Sequence, residues 1–251
     1  DSCIVFMSEV SLATEHGYTY YLDTLIQNTP LPLPTYPFAN DYGNGDCSGT
    51  GVITLDLDGN LKEHHFLQIK YIDSTNNEVI SFDTIAEINP LLYGVNPFYI
   101  DNNGNTYLSR IGGYQDNPTA IKLRVVIDEQ REYDVDYGFM YNNSRLLKFS
   151  PHFDSVLWCK PLIKDTVGNG ANPITMQPYI TGMTGDNEGN IYACGYIDHS
   201  VNVVDTNYYR TLILDSNNLN QTITLKDEDG FANFLIKYDS NGNTKWLYQL
   251  K

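Results

Sequence analysis

The chain has 251 residues, of which 31 are acidic and 15 are basic, so its formal net charge is −16. Nucleic acids and anionic membrane surfaces carry the same sign of charge, and we expect neither as a partner. No apolar run approaches the roughly 20 residues that a membrane-spanning helix needs, so we also expect no membrane insertion. The 20 Tyr residues, together with many Asn, Thr, Ile and Val, favour strands and turns over helices.

The cysteines and the first residue leave the cellular compartment open. Cys3, Cys47, Cys159 and Cys194 are scattered and show no Cys-x-x-Cys spacing, so no zinc site is predicted. They neither require nor exclude disulfides. The sequence starts at Asp1 without a signal peptide, and we expect either that a leader was removed or that it begins within a longer protein.

Four turn signals share one form, a Gly followed by Asn between alternating apolar segments. Gly supplies a positive φ and Asn tolerates one, so each signal predicts a tight antiparallel hairpin. We expect all four hairpins on one face of the sheets. They are Asp58-Gly59-Asn60, Asn103-Gly104-Asn105, Glu188-Gly189-Asn190 and Asn241-Gly242-Asn243.

Two longer segments recur around these turns in a fixed order. Residues 101–107 are matched by 186–192, and residues 234–250 are matched by 146–162 and by 52–68. At a constant offset of 183 residues, Asp46 also falls on Asp229 and Asp56 on Asp239. One unit therefore has four strands, A to D, with short A–B and C–D turns and a long B–C connection.

The repeat predicts an all-β fold in which antiparallel four-stranded units form blades of a β-propeller. We expect about three blades in one segment over residues 1–251, with units at about 1–72, 73–163 and 164–251. The first blade lacks strand A, because residues 3–8 align with strand B. A β-sandwich with chance hairpin similarity is the alternative. Tyr192 and Trp246, which recur as Tyr107 and Trp158, should be at least partly buried between neighbouring blades.

The third unit contains one pattern of an Asp, a Gly-Asn turn and a Tyr-x-x-Gly strand, followed by an apolar-Lys-Tyr-Asp strand, a second Gly-Asn turn and a Trp. Its residues are Asp186, Gly189, Asn190, Tyr192, Gly195, Ile236, Lys237, Tyr238, Asp239, Gly242, Asn243 and Trp246. This pattern resembles the SBBP-type β-propeller repeats of large surface proteins in Bacteroidetes-like bacteria and giant viruses. The most matches lie in residues 178–250, fewer in 95–162 and fewest in 1–70. The second unit departs at Pro151-His152-Phe153-Asp154, and the first has Thr54 at the Lys position and Phe66 near the Trp position. The resemblance implies the fold and transfers no catalytic residues.

Three blades are too few to close a ring, since closed propellers typically have about four to eight. We therefore expect either a segment of a longer polypeptide, so that these blades are part of a larger ring, or closure with further copies of the chain.

The long connections are predicted to carry any binding site, because loops on a rigid scaffold usually carry function. They span about 9–50, 71–95, 113–140, 164–178 and 198–232. The first contains Pro30, Pro32, Pro34 and Pro37 with Tyr36 and Phe38, which indicates a stiff connector or a polyproline ligand. The pairs Tyr20-Tyr21 and Tyr208-Tyr209 recur in register and favour an added β-ribbon over a binding surface.

The chemistry candidates are each better explained by structure, so no catalytic and no metal residue is predicted. Cys47 in Gly-Asp-Cys-Ser-Gly resembles a nucleophile elbow, but a strand follows where that motif needs a helix. His64 and His65 are adjacent on a strand and so point to opposite faces. His16, His152 and His199 show no metal-ligand spacing.

Calcium is the one cofactor left open. Asp56, Asp58 and Asn60, and likewise Asp239, Asn241 and Asn243, resemble the start of a calcium loop but lack its later Gly and Glu. The acidic run Asp227-Glu228-Asp229 is a further weak candidate, and the sequons at Asn142 and Asn220 are no more than chance would give.

These observations predict a non-catalytic module, extracellular, on a cell surface or on a virion surface, that contacts protein or glycan through its long-loop face. A glycan-cleaving propeller enzyme, either hydrolase or lyase, is one alternative. A purely architectural fibre or virion component is the other. The partners expected are protein or glycan, further copies, or the remainder of its own chain.

Overall fold

The computed structural model describes residues 4–13, 21–22, 31–32, 46–84, 98–110, 121–128, 131–135, 145–162, 165–168, 176–199, 209–213, 222–226 and 231–250. Within these ranges the chain consists of β-strands and turns, with one 3-10 turn at Pro151–Phe153 and no α-helix. The predicted all-β class is confirmed. In the same part of the chain, no helix has the length and apolar character to cross a bilayer.

The strands of the described ranges are β1 (Ile4–Ala13), β2 (Tyr21–Leu22), β3 (Leu31–Pro32), β4 (Asp46–Leu55), β5 (Leu61–Asp73), β6 (Val79–Thr84), β7 (Phe98–Ile100), β8 (Thr106–Arg110), β9 (Ile121–Ile127), β10 (Arg131–Val135), β11 (Arg145–Phe149), β12 (Val156–Pro161), β13 (Asp165–Gly168), β14 (Met176–Gly185), β15 (Ile191–His199), β16 (Tyr209–Ile213), β17 (Thr222–Lys226), β18 (Phe231–Tyr238) and β19 (Thr244–Leu250). They belong to two compact units, Asp1–Glu87 with Leu123–Asp134, and Ile88–Lys122 with Val135–Lys251. The three repeat units and the single segment predicted from the sequence stay predictions beside this division.

The first unit is built on a six-stranded sheet of order β1-β4-β5-β9-β10, with β6 also paired to β5. Strands β1, β4 and β5 have the antiparallel order predicted for strands B, C and D of the first repeat. The connection 113–140, predicted as a long loop of the second repeat, contains β9 and β10 and extends this sheet. The β9–β10 hairpin pairs with β5 through β9 and so satisfies backbone N–H and C=O groups that an edge strand would leave unpaired.

The second unit contains two four-stranded sheets with the same strand order. The 98–161 sheet has the order β7-β8-β11-β12, and the 176–250 sheet has the order β14-β15-β18-β19. Neighbouring strands in both sheets pair antiparallel. The order is the A-B-C-D order predicted for one repeat. A three-stranded sheet, β13-β16-β17, completes the unit.

One hydrophobic core joins the two four-stranded sheets face to face. Alternate residues of β15, Ile191, Ala193 and Ile197, point into it, as the period of two in a strand requires. Tyr107 and Leu146 of the 98–161 sheet belong to the same core, as does Leu162, which directly follows the sheet. The remaining buried members are Ile180, Ala232, Phe234, Ile236 and Tyr238.

The four predicted hairpins are confirmed. Gly59, Gly104, Gly189 and Gly242 have φ of +83°, +82°, +80° and +77°, which only glycine adopts without strain. An Asp lies three residues before each of these glycines. Its backbone N–H donates to the carbonyl of the Asn after the Gly, and its C=O accepts from the Gly N–H, so the two bonds close a three-residue loop. In each loop the Asp carboxylate also accepts hydrogen bonds from the backbone N–H groups two and four residues later. The turn is therefore specified by an Asp at its start as well as by the Gly and Asn at its end.

Three of the hairpin pairs share one register. Lys148 pairs with Trp158, Lys237 with Trp246, and Thr54 with Glu63, each followed by a bulge of one residue. Phe66, expected near the Trp position of the first repeat, lies three residues after it along the chain. Glu63 takes that position, because it pairs with Thr54 directly after the bulge between Thr54 and Leu55.

The tyrosine pairs mark short β-ribbons, as predicted. Tyr21 begins β2, which pairs with β3, and Tyr209 begins β16, which pairs with β17. Pro32 lies in β3. Tyr20 and Tyr208, and the other prolines of the first connection with Tyr36 and Phe38, lie outside the described residues.

Gly242 is predicted to be more sensitive to alanine than Gly189, although both have the same positive φ. Each Ala should lose about 1–2 kcal/mol through the left-handed backbone. A Cβ at Gly242 would also lie 2.9 Å from Cδ2 of Trp158, whereas at Gly189 the nearest atom is Cβ of Ser240 at 3.4 Å. We expect Gly242→Ala to reduce the free energy of unfolding by at least about 1 kcal/mol more than Gly189→Ala, because overpacking adds to the strain. Urea unfolding measures both, and equal losses would contradict the contact between the sheets.

Candidate functional site

A row of Tyr, Lys and Trp crosses three neighbouring strands in both four-stranded sheets. In the 98–161 sheet Tyr107 pairs with Lys148, which pairs with Trp158. In the 176–250 sheet the row is Tyr192, Lys237 and Trp246. Side chains of directly paired residues lie on the same face of a sheet, so each row is one continuous surface. We name them the Tyr107 row and the Tyr192 row.

The two rows have nearly the same internal geometry. The Lys148 Nζ atom lies 5.1 Å from the centroid of the Tyr107 ring, and the Lys237 Nζ atom lies 4.9 Å from that of Tyr192. The Tyr and Trp ring centroids are 5.9 Å apart in both rows. Cation–π and aromatic contacts therefore hold each row together before anything is packed on it.

Each row is anchored to its neighbouring turn by an aspartate. The Tyr107 hydroxyl donates to Oδ2 of Asp101 at 3.1 Å, and the Tyr192 hydroxyl donates to Oδ2 of Asp186 at 2.9 Å. The other oxygen of each carboxylate accepts from the backbone of the turn. One carboxylate thus fixes both the hairpin and the ring that follows it on the strand.

These contacts move the pKa values of the anchoring groups away from neutrality. Hydrogen bonds from the Asn190 side chain lead the effects that lower the pKa of Asp186 to about 2, and burial opposes them. Burial, followed by the negative charge of Asp101, raises the pKa of Tyr107. Both groups are therefore held in one protonation state around neutral pH.

The Tyr107 row is covered by the 176–250 sheet. The Ser240 carbonyl accepts a hydrogen bond from Nε1 of Trp158 at 3.1 Å and another from Nζ of Lys148 at 3.3 Å. Tyr107 is completely buried and Lys148 retains 7% of its exposure. At the A–B turns, the Asn102 amide donates to Oδ1 of Asn187 at 2.9 Å. The row is thus the contact surface between the two sheets.

The Tyr192 row lies on the opposite face of the 176–250 sheet and keeps more exposure. Its three side chains are half-buried. Tyr248 and Leu250, which extend the same face along β19, are 60% and 50% exposed. Partial burial of Tyr107, Trp158, Tyr192 and Trp246 was predicted and is confirmed, while burial of the Tyr192 row between two sheets stays a prediction.

The pKa values of the two lysines shift in opposite directions because the two rows differ in burial. Burial lowers the pKa of Lys148, with the charge of Asp101 opposing it. The pKa of Lys237 is raised, first by its hydrogen bond to Tyr192 and further by the carboxylates of Asp186 and Glu188. The same residue in the same register is therefore desolvated in one sheet and remains a solvated cation in the other.

The cysteines show no nucleophile geometry within the described residues. Cys47 lies inside the ten-residue strand β4, opposite Leu12, and not at a strand-to-helix turn. Cys194 is a half-buried thiol on β15, and Cys159 lies on β12. Cys3 and the side chain of Cys47 lie outside the described residues.

His65, the second of the two adjacent histidines, contacts Asp128, which the sequence did not indicate. Nδ1 of His65 lies 2.8 Å from Oδ2 of Asp128, and Oδ1 of Asp128 accepts from the backbone N–H of Phe66 at 2.8 Å. Arg131 donates to the same carboxylate at 2.9 Å. Burial raises the pKa of Asp128, but these hydrogen bonds outweigh it and the net effect is a lower pKa. The cluster fastens the β9–β10 hairpin to β5.

The other histidines are not brought together. His152 is exposed in the turn after β11, with a φ of +59°. His199 ends β15, and its side chain lies outside the description, as does the whole of His16. His64 is next to His65 along β5 and so faces the other side of the sheet.

The aspartates proposed for calcium hold the hairpin turns. Oδ1 of Asp56 accepts from the backbone N–H groups of Asp58 and Asn60, and Oδ2 accepts from the Asn60 amide. Asp239 makes the same bonds to Asn241 and Asn243. Across the described ranges, no three His, Cys, Asp or Glu side chains are grouped for a metal. Asp227-Glu228-Asp229, Asn142 and Asn220 lie outside those ranges, and calcium stays a prediction.

Sequence reasoning found the aromatic members of the rows but missed two of their contacts. The spacing from Asp101 to Tyr107 recurs from Asp186 to Tyr192, and this repeated spacing could have indicated the anchoring bond. Ser240 carried no signal, because its backbone carbonyl is the acceptor and its side chain is not.

No protein-family model and no curated protein sequence matches the chain. The resemblance to SBBP-type repeats is therefore a proposal, and the role of the rows is argued from geometry.

Trp158→Phe is predicted to destabilise the second unit more than Trp246→Phe in dilute solution. Both changes keep an aromatic ring, but only the first removes a hydrogen bond to the Ser240 carbonyl. The difference in the free energy of unfolding should be about 1 kcal/mol. Urea unfolding followed by circular dichroism measures both variants under the same conditions. A larger loss for Trp246→Phe would mean that the covered row has been assigned to the wrong sheet.

Asp186→Asn is predicted to reduce the acid sensitivity of the protein. The pKa of Asp186 is lowered to about 2 in the fold, against about 3.9 for an unperturbed Asp. Its ionised form therefore contributes stability that is present above about pH 4 and is lost as the pH falls towards 2. The urea midpoint of the wild type should fall more steeply over that window than that of the variant. Parallel curves would show that the turn carboxylate does not contribute.

Proposed function

We propose that the chain is a segment of a β-propeller that serves as a non-catalytic module for structural assembly or for protein or glycan binding. The observation that carries this proposal is the pair of four-stranded sheets packed face to face, with one strand order, the same A–B hairpin and equivalent rows. Propeller blades are four-stranded antiparallel sheets arranged in this way.

The first unit supports a third blade of the same kind. Its β1-β4-β5 order corresponds to strands B, C and D, and its β4–β5 hairpin has the register and bulge of β18–β19. Its row positions, however, hold Val5, Thr54 and Glu63 in place of Tyr, Lys and Trp. This blade would be joined to its neighbours by a different set of contacts. About three blades, with SBBP-type repeats as the family resembled, remain our proposal for the architecture.

The chemistry of the rows supports a structural role. A general acid or base works best with a pKa near the operating pH. The pKa of Asp186 is lowered and the pKa of Tyr107 is raised, so both are moved in the directions that reduce proton exchange near neutrality. Their hydrogen bonds fix turns and rings, which is the work of a scaffold.

The long connections are the proposed binding elements. In the 176–250 sheet β15 starts at the A–B turn and ends at His199, so the B–C connection leaves from the opposite end of the sheet. That connection contains the β16–β17 ribbon, paired in turn with β13. A ribbon held at the end of a rigid sheet offers a stable surface to a protein or glycan. We place this module outside a cell, on a cell surface or on a virion surface.

Shortening the connection between β15 and β18 should separate binding from folding. Asp198 and Phe231 are paired, so a two-residue Asn-Gly turn can replace residues 200–229 as a direct hairpin. We expect the shortened protein to keep its far-ultraviolet circular dichroism and to lose retention on an array of purified neutral, acidic and amino-sugar polysaccharides. Unchanged retention would contradict the role of the connection.

A second assay tests the non-catalytic part of the proposal. The wild type is incubated with the same polysaccharides, and reducing ends and ultraviolet-absorbing unsaturated sugars are measured against heat-denatured protein. No release is expected. Release of either product would replace the scaffold with a glycan hydrolase or lyase.

A further inference from the structure

The two rows present equivalent chemistry, but among the described residues a hairpin packs on the Tyr107 row and none is seen on the Tyr192 row. Lys148 retains 7% of its exposure, whereas Tyr248 and Leu250 beside the Tyr192 row are 60% and 50% exposed. The Trp–Tyr and Lys–Tyr distances in the two rows agree closely. The Tyr192 row is therefore preorganised for the kind of contact that the Tyr107 row makes.

The covered row defines what such a contact requires. The covering hairpin is the turn Asp239–Asn243, whose second residue, Ser240, offers its carbonyl to both the Trp and the Lys. Its fourth residue must be Gly, because a Cβ on Gly242 would lie 2.9 Å from the indole of Trp158. The occupant of a Tyr192 row should thus be a hairpin with an unhindered carbonyl at its second position and a Gly at its fourth.

The chain itself contains a second hairpin of this kind, the β4–β5 turn Asp56–Asn60. It has the same loop hydrogen bonds, the same bulge and the same pair register as the covering hairpin. Leu57, in the position of Ser240, is 69% exposed. A Cβ built on Gly59 would meet no described atom within 4 Å. The carbonyl side of this turn is therefore accessible.

Charge also favours this pair of surfaces. Lys237 places a cation in the middle of the Tyr192 row, 3.8 Å from Asp186 and with a side chain 20% exposed. The β4–β5 turn carries Asp56 and Asp58, one carboxylate more than the turn that covers Lys148. Opposite charges at the centre of a small interface speed encounter and fix the register.

We propose that the Tyr192 row binds the β4–β5 hairpin of a second copy of this chain. This inference rests on the proposed equivalence of the sheets as blades. Because the turn and the row are different surfaces, the contact is heterologous, and each copy keeps one free turn and one free row. Such contacts build closed rings when the rotation closes and open filaments when it does not.

The area of the row predicts a reversible association. A sheet face of four strands at about 4.8 Å spacing and about seven residues in length covers roughly 450 Å². Two such faces bury about 900 Å² in total, which is below the range of stable specific complexes and in that of weak, transient ones. We therefore expect association in the micromolar range of protein concentration.

Sedimentation velocity of the full chain over about 1–200 µM tests the contact. The wild type should pass from a 28.4 kDa monomer to larger species as its concentration rises.

Gly59→Ala should raise the dissociation constant at least about fivefold, because its Cβ would meet the indole of Trp246. Trp246→Phe should do the same by removing the donor to the Leu57 carbonyl. Gly189→Ala, with the same positive φ in an A–B turn, is the matched control and should associate like the wild type.

Mixing the two weakened variants gives a sharper test. Gly59→Ala keeps an intact row and Trp246→Phe keeps an intact turn, so an equimolar mixture restores one complete contact. The mixture should form dimers with nearly wild-type affinity and no larger species. A contact between two identical surfaces would not show this complementation.

A wild type that stays at 28.4 kDa throughout would overturn the inference, as would association that both variants leave unchanged. Neither result changes the assays of polysaccharide retention and cleavage, which test the proposed binding module by themselves. That proposal fails if polysaccharides are cleaved or if the shortened connection keeps its binding.

Discussion

In the second unit a single backbone oxygen accepts hydrogen bonds from two side chains of the neighbouring sheet and sets how the two sheets are placed over their common core. The Ser240 carbonyl receives the indole N–H of Trp158 and the ammonium of Lys148, at 3.1 and 3.3 Å. A buried ammonium is costly unless its protons find acceptors. The carbonyl reduces that cost, while the Tyr107 ring supplies a cation–π contact on the other side. Packing of the sheets therefore requires the turn at residue 240 to sit within hydrogen-bonding distance of both donors.

The aspartates make this placement precise, because they connect the turns to the rows. Asp101 and Asp186 each close a hairpin through backbone N–H groups and orient a Tyr ring through its hydroxyl. A shift of the turn would break the bond to the ring, and rotation of the ring would remove one of the two hydrogen bonds to Oδ2, which also accepts from the Asn105 or Asn190 amide. The hairpin is thus a positioned element of the sheet face as well as a reversal of the chain. Its stability depends on ionised carboxylates, which links the packing of the sheets to pH.

Local chemistry explains which parts of the fold could be predicted from the sequence. The hairpins at Gly104 and Gly189 follow from a few adjacent residues whose backbone preferences are strong, and the all-β class follows from the spacing of these turns. The attachment of β9–β10 to β5 depends on His65 and Asp128, which are 63 residues apart, and no local pattern indicates it. The position of Glu63 was missed for a different reason, since one bulged residue changes every pair that follows it.

The candidate site was likewise predictable only in part. The Tyr and Trp of each row were found because they recur in register, but the function of the Lys was hidden, since a Lys on a strand usually points to solvent. Placing Lys237 among aromatic rings gives the 176–250 sheet a face that is stable when exposed to water, because its cation remains hydrated. A backbone carbonyl can replace water at Lys237, as the Ser240 carbonyl does at Lys148. Apolar groups then desolvate only part of the charge. An aliphatic residue at this position would make the face permanently hydrophobic and prone to unspecific contact. A lysine in the middle of the row therefore restricts stable packing to partners that bring an acceptor in the right place.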